Sequence, residues 1–150
     1  MPQRLDYHIA SPAGTKALER VYGHVVQCGL PKALVDLVYL RVSQINGCAY
    51  CIDMHSSDLL SEGMKLEKLL LVPVWRELGN RFNATERAAL AWAETVTRVA
   101  ETHIPDVEFE AASAVFDHKQ LTDLTIAIGL MNTYNRLAIG FRKLPRAAEA

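Results

Sequence analysis

Between Ala33 and Ile45 the chain is apolar almost all the way round a helix: Leu34, Val35, Leu37, Val38, Tyr39, Leu40 and Val42 leave no broad polar face. A helix of that pattern has to be enclosed by other elements. Pro31 suits its first turn and Asn46-Gly47 ends it. The flanking sequence supplies the enclosing helices. Ser11-Pro12 opens one in which Leu18, Val21, Tyr22, Val25 and Val26 recur at helical spacing before Gly29. A third runs from near Cys48 to about Glu62, with Gly63 suited to the left-handed position beyond its last turn. Met64 to Leu78 has a helical pattern that Pro73 should break or kink. Asn83-Ala84-Thr85-Glu86 reads as a capping box leading into Ala88 to Ala100. Pro105-Asp106 starts a shorter helix through Phe116, and Asp117 to Gln120 repeats the capping pattern before a long helix closed by Gly140. Nowhere does period-two alternation bounded by turns mark a strand. The expected fold is all-α, about six or seven helices in a single domain over residues 1–150.

Charge narrows the functional classes. With 16 Lys+Arg against 17 Asp+Glu the formal charge is -1, so no broad positive field exists for a nucleic-acid backbone or an anionic membrane. No apolar run approaches the roughly 18 to 20 residues of a membrane span, and Met1 to Asp6 lacks the features of a signal peptide. Cytoplasmic placement is the expectation. The chain has 3 cysteines, a poor disulfide scaffold but a plausible reactive or metal-binding set in a reducing compartment.

Two of those cysteines carry the chemistry. In Asn46-Gly47-Cys48-Ala49-Tyr50-Cys51-Ile52-Asp53-Met54-His55, helical spacing projects Cys48, Cys51 and His55 from one side. A thiol pKa of about 8.5 falls at a helix N-terminus and beside a base, because both favour thiolate. Cys48 has the first influence and Cys51 both. Two cysteines at this separation can also close a disulfide, which suits a cycle of sulfenic acid, disulfide and reduction. If the second and third helices fold back around Asn46-Gly47, Asp36 comes nearly level with His55 across the hairpin. A carboxylate among Val35, Leu37, Tyr39 and Leu40 needs a partner, and His55 or Arg41 could supply one.

These residues resemble the alkylhydroperoxidase (AhpD-like) branch of the carboxymuconolactone decarboxylase family. The resemblance rests on Leu40-Arg41-Val42-Ser43-Gln44-Ile45-Asn46-Gly47-Cys48-Ala49-Tyr50-Cys51, on His55, on Ala88 to Glu94 and on Asn135-Arg136-Leu137-Ala138, and it covers nearly the whole chain. It implies an all-helical fold assembled as trimers or hexamers, and reduction of organic hydroperoxides. It also implies that Cys51 meets the peroxide and Cys48 resolves the sulfenic acid. An acidic residue twelve positions before the first cysteine, usually Glu, helps the histidine and a water relay protons in such proteins; here that position is Asp36. The catalytic set is therefore Cys51, Cys48, His55 and Asp36. No flavin, haem or nicotinamide signature is present, so no cofactor is expected and electrons are to come from an external dithiol or a partner reductase.

Rival readings follow from the same residues. Zinc would have two thiolates, one imidazole and only Asp36 as a fourth ligand. A general disulfide oxidoreductase and a noncatalytic redox-sensing module would both use the cysteine pair. Cys28 reads as a small buried hydrophobe. His8, His24, His103 and His118 read as surface or capping residues, and Asn132, Asn135 and Arg136 as subunit contacts or solvated groups. Tyr50, between the two cysteines, reads either as shaping a substrate entrance or as a packing residue.

Overall fold

Gly47, at φ 71° and ψ 35°, ends α3 (Lys32–Asn46) in the left-handed region and sends the chain directly into α4 (Ala49–Ser61). Only glycine takes that conformation without strain. The Cys48 N–H closes the turn onto the Ser43 carbonyl at 3.0 Å, and the Cys48 carbonyl accepts the first bond of α4 from the Ile52 N–H at 2.9 Å. Cys48 is thus the N-cap residue of α4, in extended conformation, and Cys51 lies in its first turn. The computed structural model describes residues 2–145.

Helix α3 is the central element, as its apolar circumference requires. Leu34 to Leu40, Val42 and Ser43 are all buried, enclosed by α4, by α6 (Ala84–Thr97) and by α9 (His118–Phe141). The face of α3 that meets α6 and α9 forms the larger core, with Val38, Tyr39, Val42, Ala89, Leu124 and Ile128. A second core joins Leu37 and Leu40 to Leu59, Leu69, Val72, Trp75, Phe82 and Leu90. Helices α1 (Tyr7–Ala10) and α2 (Pro12–Gln27) pack beside α9, and the Arg4 N–H donates to the Phe141 carbonyl at 3.0 Å.

Both expected capping boxes are present. Asn83 accepts from the Glu86 N–H and Glu86 from the Asn83 N–H, each at 2.9 Å, and Asp117 with Gln120 repeats the exchange. Other boundaries differ from the sequence reading. Short α1 was not anticipated. The stretch from Met64 to Leu78 holds only a brief α5 (Leu66–Leu70) before 3-10 turns at Val72–Glu77 and Gly79–Arg81, because Pro73 offers no N–H to a continuing α-helix. Helix α6 starts at its box and stops at Thr97; α7 (Val99–Thr102) follows. Helix α8 (Asp106–Ser113) ends before Phe116. Gly140 stays inside α9, and Arg142 takes the left-handed position at φ 56°.

Arg41 is not the partner of Asp36. Five residues after Asp36, it points about 140° away around α3, toward α6. There its Nε donates to Glu94 Oε1 at 2.7 Å. Glu94 also accepts from Trp75 Nε1 at 3.0 Å and from Arg76. These partners hold the Glu94 carboxyl below its ordinary range against the opposing effect of burial. From Leu34 to Val42 the apolar side chains of α3 are covered within the chain, so that stretch supplies no surface for assembly.

Candidate active site

The hairpin of α3 and α4 brings together the four residues singled out from the sequence. Cys48 and Cys51 are buried free thiols three residues apart at the start of α4. The neighbouring Cys51 thiol is the chief reason that Cys48 is pulled down to about 7; burial opposes it, while the Cys51 backbone and the Asn135 side chain assist. Cys51 is pushed up, first by its Cys48 neighbour, then by burial. The pair therefore parts with one proton readily and resists losing the second.

Behind the sulfurs stands Asn135 of α9, fully enclosed. Its Nδ2 donates to Ser43 Oγ at 3.0 Å, and its Oδ1 accepts from Asn46 Nδ2 at 2.9 Å. The Asn135 side chain favours thiolate at both cysteines. The sequence reading left Asn135 between a subunit contact and solvent; it belongs to the core of the site. The available signal was its place in the stripe Leu124, Ile128, Met131, Asn135, Ala138, where helical spacing calls for an apolar side chain.

His55 lies one turn beyond Cys51 on α4 and is 3% exposed. Its ring packs on Tyr39 at 5.1 Å between centroids. Nδ1 stands 3.8 Å from Asp36 Oδ1 and 3.8 Å from Asp58 Oδ2, beyond hydrogen-bond distance, and neither ring nitrogen has a partner among the described residues. Burial, helped by the charge of Lys32, pushes His55 down to about 4. The imidazole is therefore neutral at pH 7 and able to accept a proton. Asp36 is pushed up to about 6 by burial, a rise opposed by the hydrogen bond from Lys32 Nζ at 2.6 Å. Lys32 also pairs with Glu62.

Cys51 and His55 share the wall of a cavity of about 250 Å³. Tyr7, Tyr22, Tyr50 and Tyr134 line it with Met54 and Met131, and His8, Asp58, Ala138 and Lys143 complete it. Cys48 instead faces a groove beside Ala49, Ala138 and Arg142. Neither His8 nor Lys143 stood out in the sequence as part of this constellation. Of the other histidines read as surface or capping residues, His24 meets Asp123 Oδ1 through Nε2 at 2.8 Å. Cys28 is half-buried, with its thiol on the Val25 carbonyl at 3.0 Å.

Among the described residues, the donors close enough to share a metal ion are Asp36, His55 and Asp58, all within 4.8 Å of one another; neither cysteine joins them. A cation there would compete with the Lys32 ammonium already bonded to Asp36. The donor set thus differs from the thiolate-rich zinc site weighed from sequence.

An all-helical chain with a cysteine pair at a helix start and a neutral histidine one turn on defines a class of helical thiol proteins. This chain belongs to the carboxymuconolactone decarboxylase family, which it matches over residues 12–95. It is 32% identical over 139 residues to the uncharacterized protein YdfG of Bacillus subtilis, covering 93% of this chain and 94% of that one. Among solved structures, it superposes with a TM-score of 0.93 on an Agrobacterium tumefaciens protein of unknown function, named as a candidate antioxidant defence protein AhpD. That pair is 39% identical over 98% of this chain and 100% of the other. An uncharacterized peroxidase-related protein of Ralstonia eutropha, described as an alkylhydroperoxidase AhpD core, shares the fold at a TM-score of 0.80 and 21% identity, over 94% of this chain and 75% of that one. No helix among the described residues is long and apolar enough to cross a membrane.

Proposed function

We propose that the chain is a thiol-dependent peroxidase that reduces organic hydroperoxides in antioxidant defence. The observation that carries this reading is the shared cavity wall: Cys51 and His55 line the same half-open cavity, with Cys48 three residues before Cys51 at the start of the same helix. With Cys48 protonated, neutral His55 accepts the Cys51 proton as that sulfur meets the peroxide, so the pair gives up one proton and not two. The Cys51 thiolate attacks the distal peroxide oxygen, the O–O bond breaks, and the departing alkoxide takes the proton back and leaves as the alcohol. Cys51 is now a sulfenic acid. Cys48, already the more acidic sulfur, attacks it as thiolate; hydroxide departs, is protonated to water, and a Cys48–Cys51 disulfide remains. An external dithiol or partner reductase returns both thiols and is itself oxidised. Asp36 assists as a positioning residue by holding negative charge near His55 while that ring carries the proton. Such a cycle suits the reducing cytoplasm.

A steady-state assay with cumene hydroperoxide and several dithiol donors tests the proposal, with mass spectrometry of the intermediate. Expected are turnover, a trapped Cys51 sulfenic acid in Cys48→Ser, and loss of on the order of 10²- to 10⁴-fold in His55→Ala. Stoichiometric oxidation without turnover would support the noncatalytic sensing reading instead, and faster turnover of a model disulfide than of any hydroperoxide would support the general oxidoreductase. We further propose that the working form is a homo-oligomer, a trimer or hexamer, joined through apolar side chains left outside the cores, such as Ile9, Val26 and Val107 at 80%, 62% and 67% exposure. A 16.7 kDa particle in light scattering at micromolar concentration would refute assembly.

A further inference from the structure

The cavity reaching Cys51 carries opposite charges on its wall. Asp58 lines it 3.8 Å from His55, and Lys143, which follows the end of α9, lines it as well. The Lys143 ammonium stands 4.4 Å from the centre of the Tyr50 ring and 5.2 Å from that of Tyr7. Aromatic faces hold a cation in place without neutralising it. Among the described residues no carboxylate lies within ion-pair distance of Lys143. The pocket therefore keeps an ammonium that has phenol neighbours in Tyr7 and Tyr50 and no ion-pair partner among the described residues, beside a lining of tyrosines and methionines.

We propose that Lys143 binds a carboxylate on the substrate, so that the preferred substrate is a compact carboxylate-bearing organic hydroperoxide. This rests on the peroxidase reading above and names its substrate class. The size of the cavity, about 250 Å³, lies below the roughly 300 to 1,000 Å³ of most small-molecule sites and selects a short or single-ring body. Tyr22, Met54, Met131 and Tyr134 offer that body apolar and aromatic contact. The charge pattern sets its direction: Asp58 repels a carboxylate from the His55 end, and Lys143 attracts it. The peroxide is then left to Cys51. One ammonium matches a monoanion; a phosphate, with about two charges and three strong acceptor oxygens, would leave acceptors unpaired.

The test separates anion binding from turnover. Calorimetry on the reduced protein with the unreactive probes 4-isopropylbenzoate and 4-isopropylbenzamide should show the carboxylate bound about tenfold more tightly, as expected for one charge-assisted hydrogen bond. Lys143→Gln should bring the two within about twofold, and Lys143→Arg should restore the preference. In turnover, cumene hydroperoxide and its para-carboxylate should differ in kcat/KM by a similar factor that disappears in Lys143→Gln. Equal binding of the probes, or a preference that survives Lys143→Gln, overturns the carboxylate site. Equal kcat/KM for both hydroperoxides overturns the substrate class and leaves the peroxidase standing. A Lys143-dependent binding preference with no turnover of either hydroperoxide overturns the peroxidase reading and retains the anion site.

Discussion

Lys32 and Asp36 are joined one helical turn apart on α3, with Nζ 2.6 Å from Oδ2, which leaves Oδ1 as the carboxylate oxygen nearest His55. One ammonium therefore acts on two titrating groups. It opposes the rise in the Asp36 pKa and helps to depress that of His55. Lys32→Gln should move both upward. Proton NMR of the His55 ring against pH checks this, and an unchanged His55 titration would remove Lys32 from the electrostatics of the site.

Acid stability should carry the mark of His55. Its folded value is depressed from 6.5 to about 4, so its contribution is present above about 6.5 and lost as pH falls through 4. At about 1.36 kcal/mol per unit the loss approaches about 3 kcal/mol. Asp36 runs in the opposite sense: its value is raised from 3.8 to about 6, so its contribution is full below 3.8 and lost as pH rises through 6. The protein with His55→Gln should therefore lose less stability between pH 6.5 and 4 than the parent. Denaturant midpoints at several pH values measure the difference, and parallel curves would contradict it.

The closeness of the two cysteines predicts an asymmetric thiol titration. Alkylation in this segment should show one midpoint near 7, from Cys48, and a second far above it. Cys51→Ala removes the neighbouring thiol and should shift the Cys48 midpoint toward the ordinary 9.0. Mild peroxide should convert the pair to an intramolecular disulfide, seen by mass spectrometry as the loss of two hydrogens. Two alkylatable thiols persisting in the oxidised protein would contradict the pairing.

Replacing Asn135 by Leu should slow Cys48 alkylation at neutral pH, because a donor to the sulfurs disappears. It should also destabilise the fold by about 1 to 3 kcal/mol, since the Asn46 and Ser43 side chains lose a partner in the interior. Thermal unfolding and alkylation rates on the one variant test both effects. An unchanged alkylation rate would reduce Asn135 to packing.

What could be read from the sequence was what is local along the chain. The capping boxes at Asn83 and Asp117 and the turn at Gly47 rest on residues three or four apart. The approach of Asp36 to His55 followed from one hairpin. Distant pairings were beyond that reasoning. Ser43 and Asn135 are 92 positions apart, and Arg41 and Glu94 are 53 apart. Which face of α3 each helix covers is decided by the packing of the whole set, so Asp36 had two plausible partners, His55 and Arg41, and local spacing did not choose between them. Lys143 joined the cavity through the return of the chain past Tyr7 and Tyr50, with no sequence motif to mark it.

The long separation between Ser43 and Asn135 also sets an order in time. A chain emerging residue by residue exposes both cysteines well before α9 exists. Until that helix docks, the thiols lack the amide and the enclosed surroundings that tune them. Nascent protein thus carries a cysteine pair tuned only by its own helical turn, and gains the Asn135 amide and the walls of the cavity when the last long helix seats. Substrate access is in this sense completed last: the pair precedes the pocket that serves it.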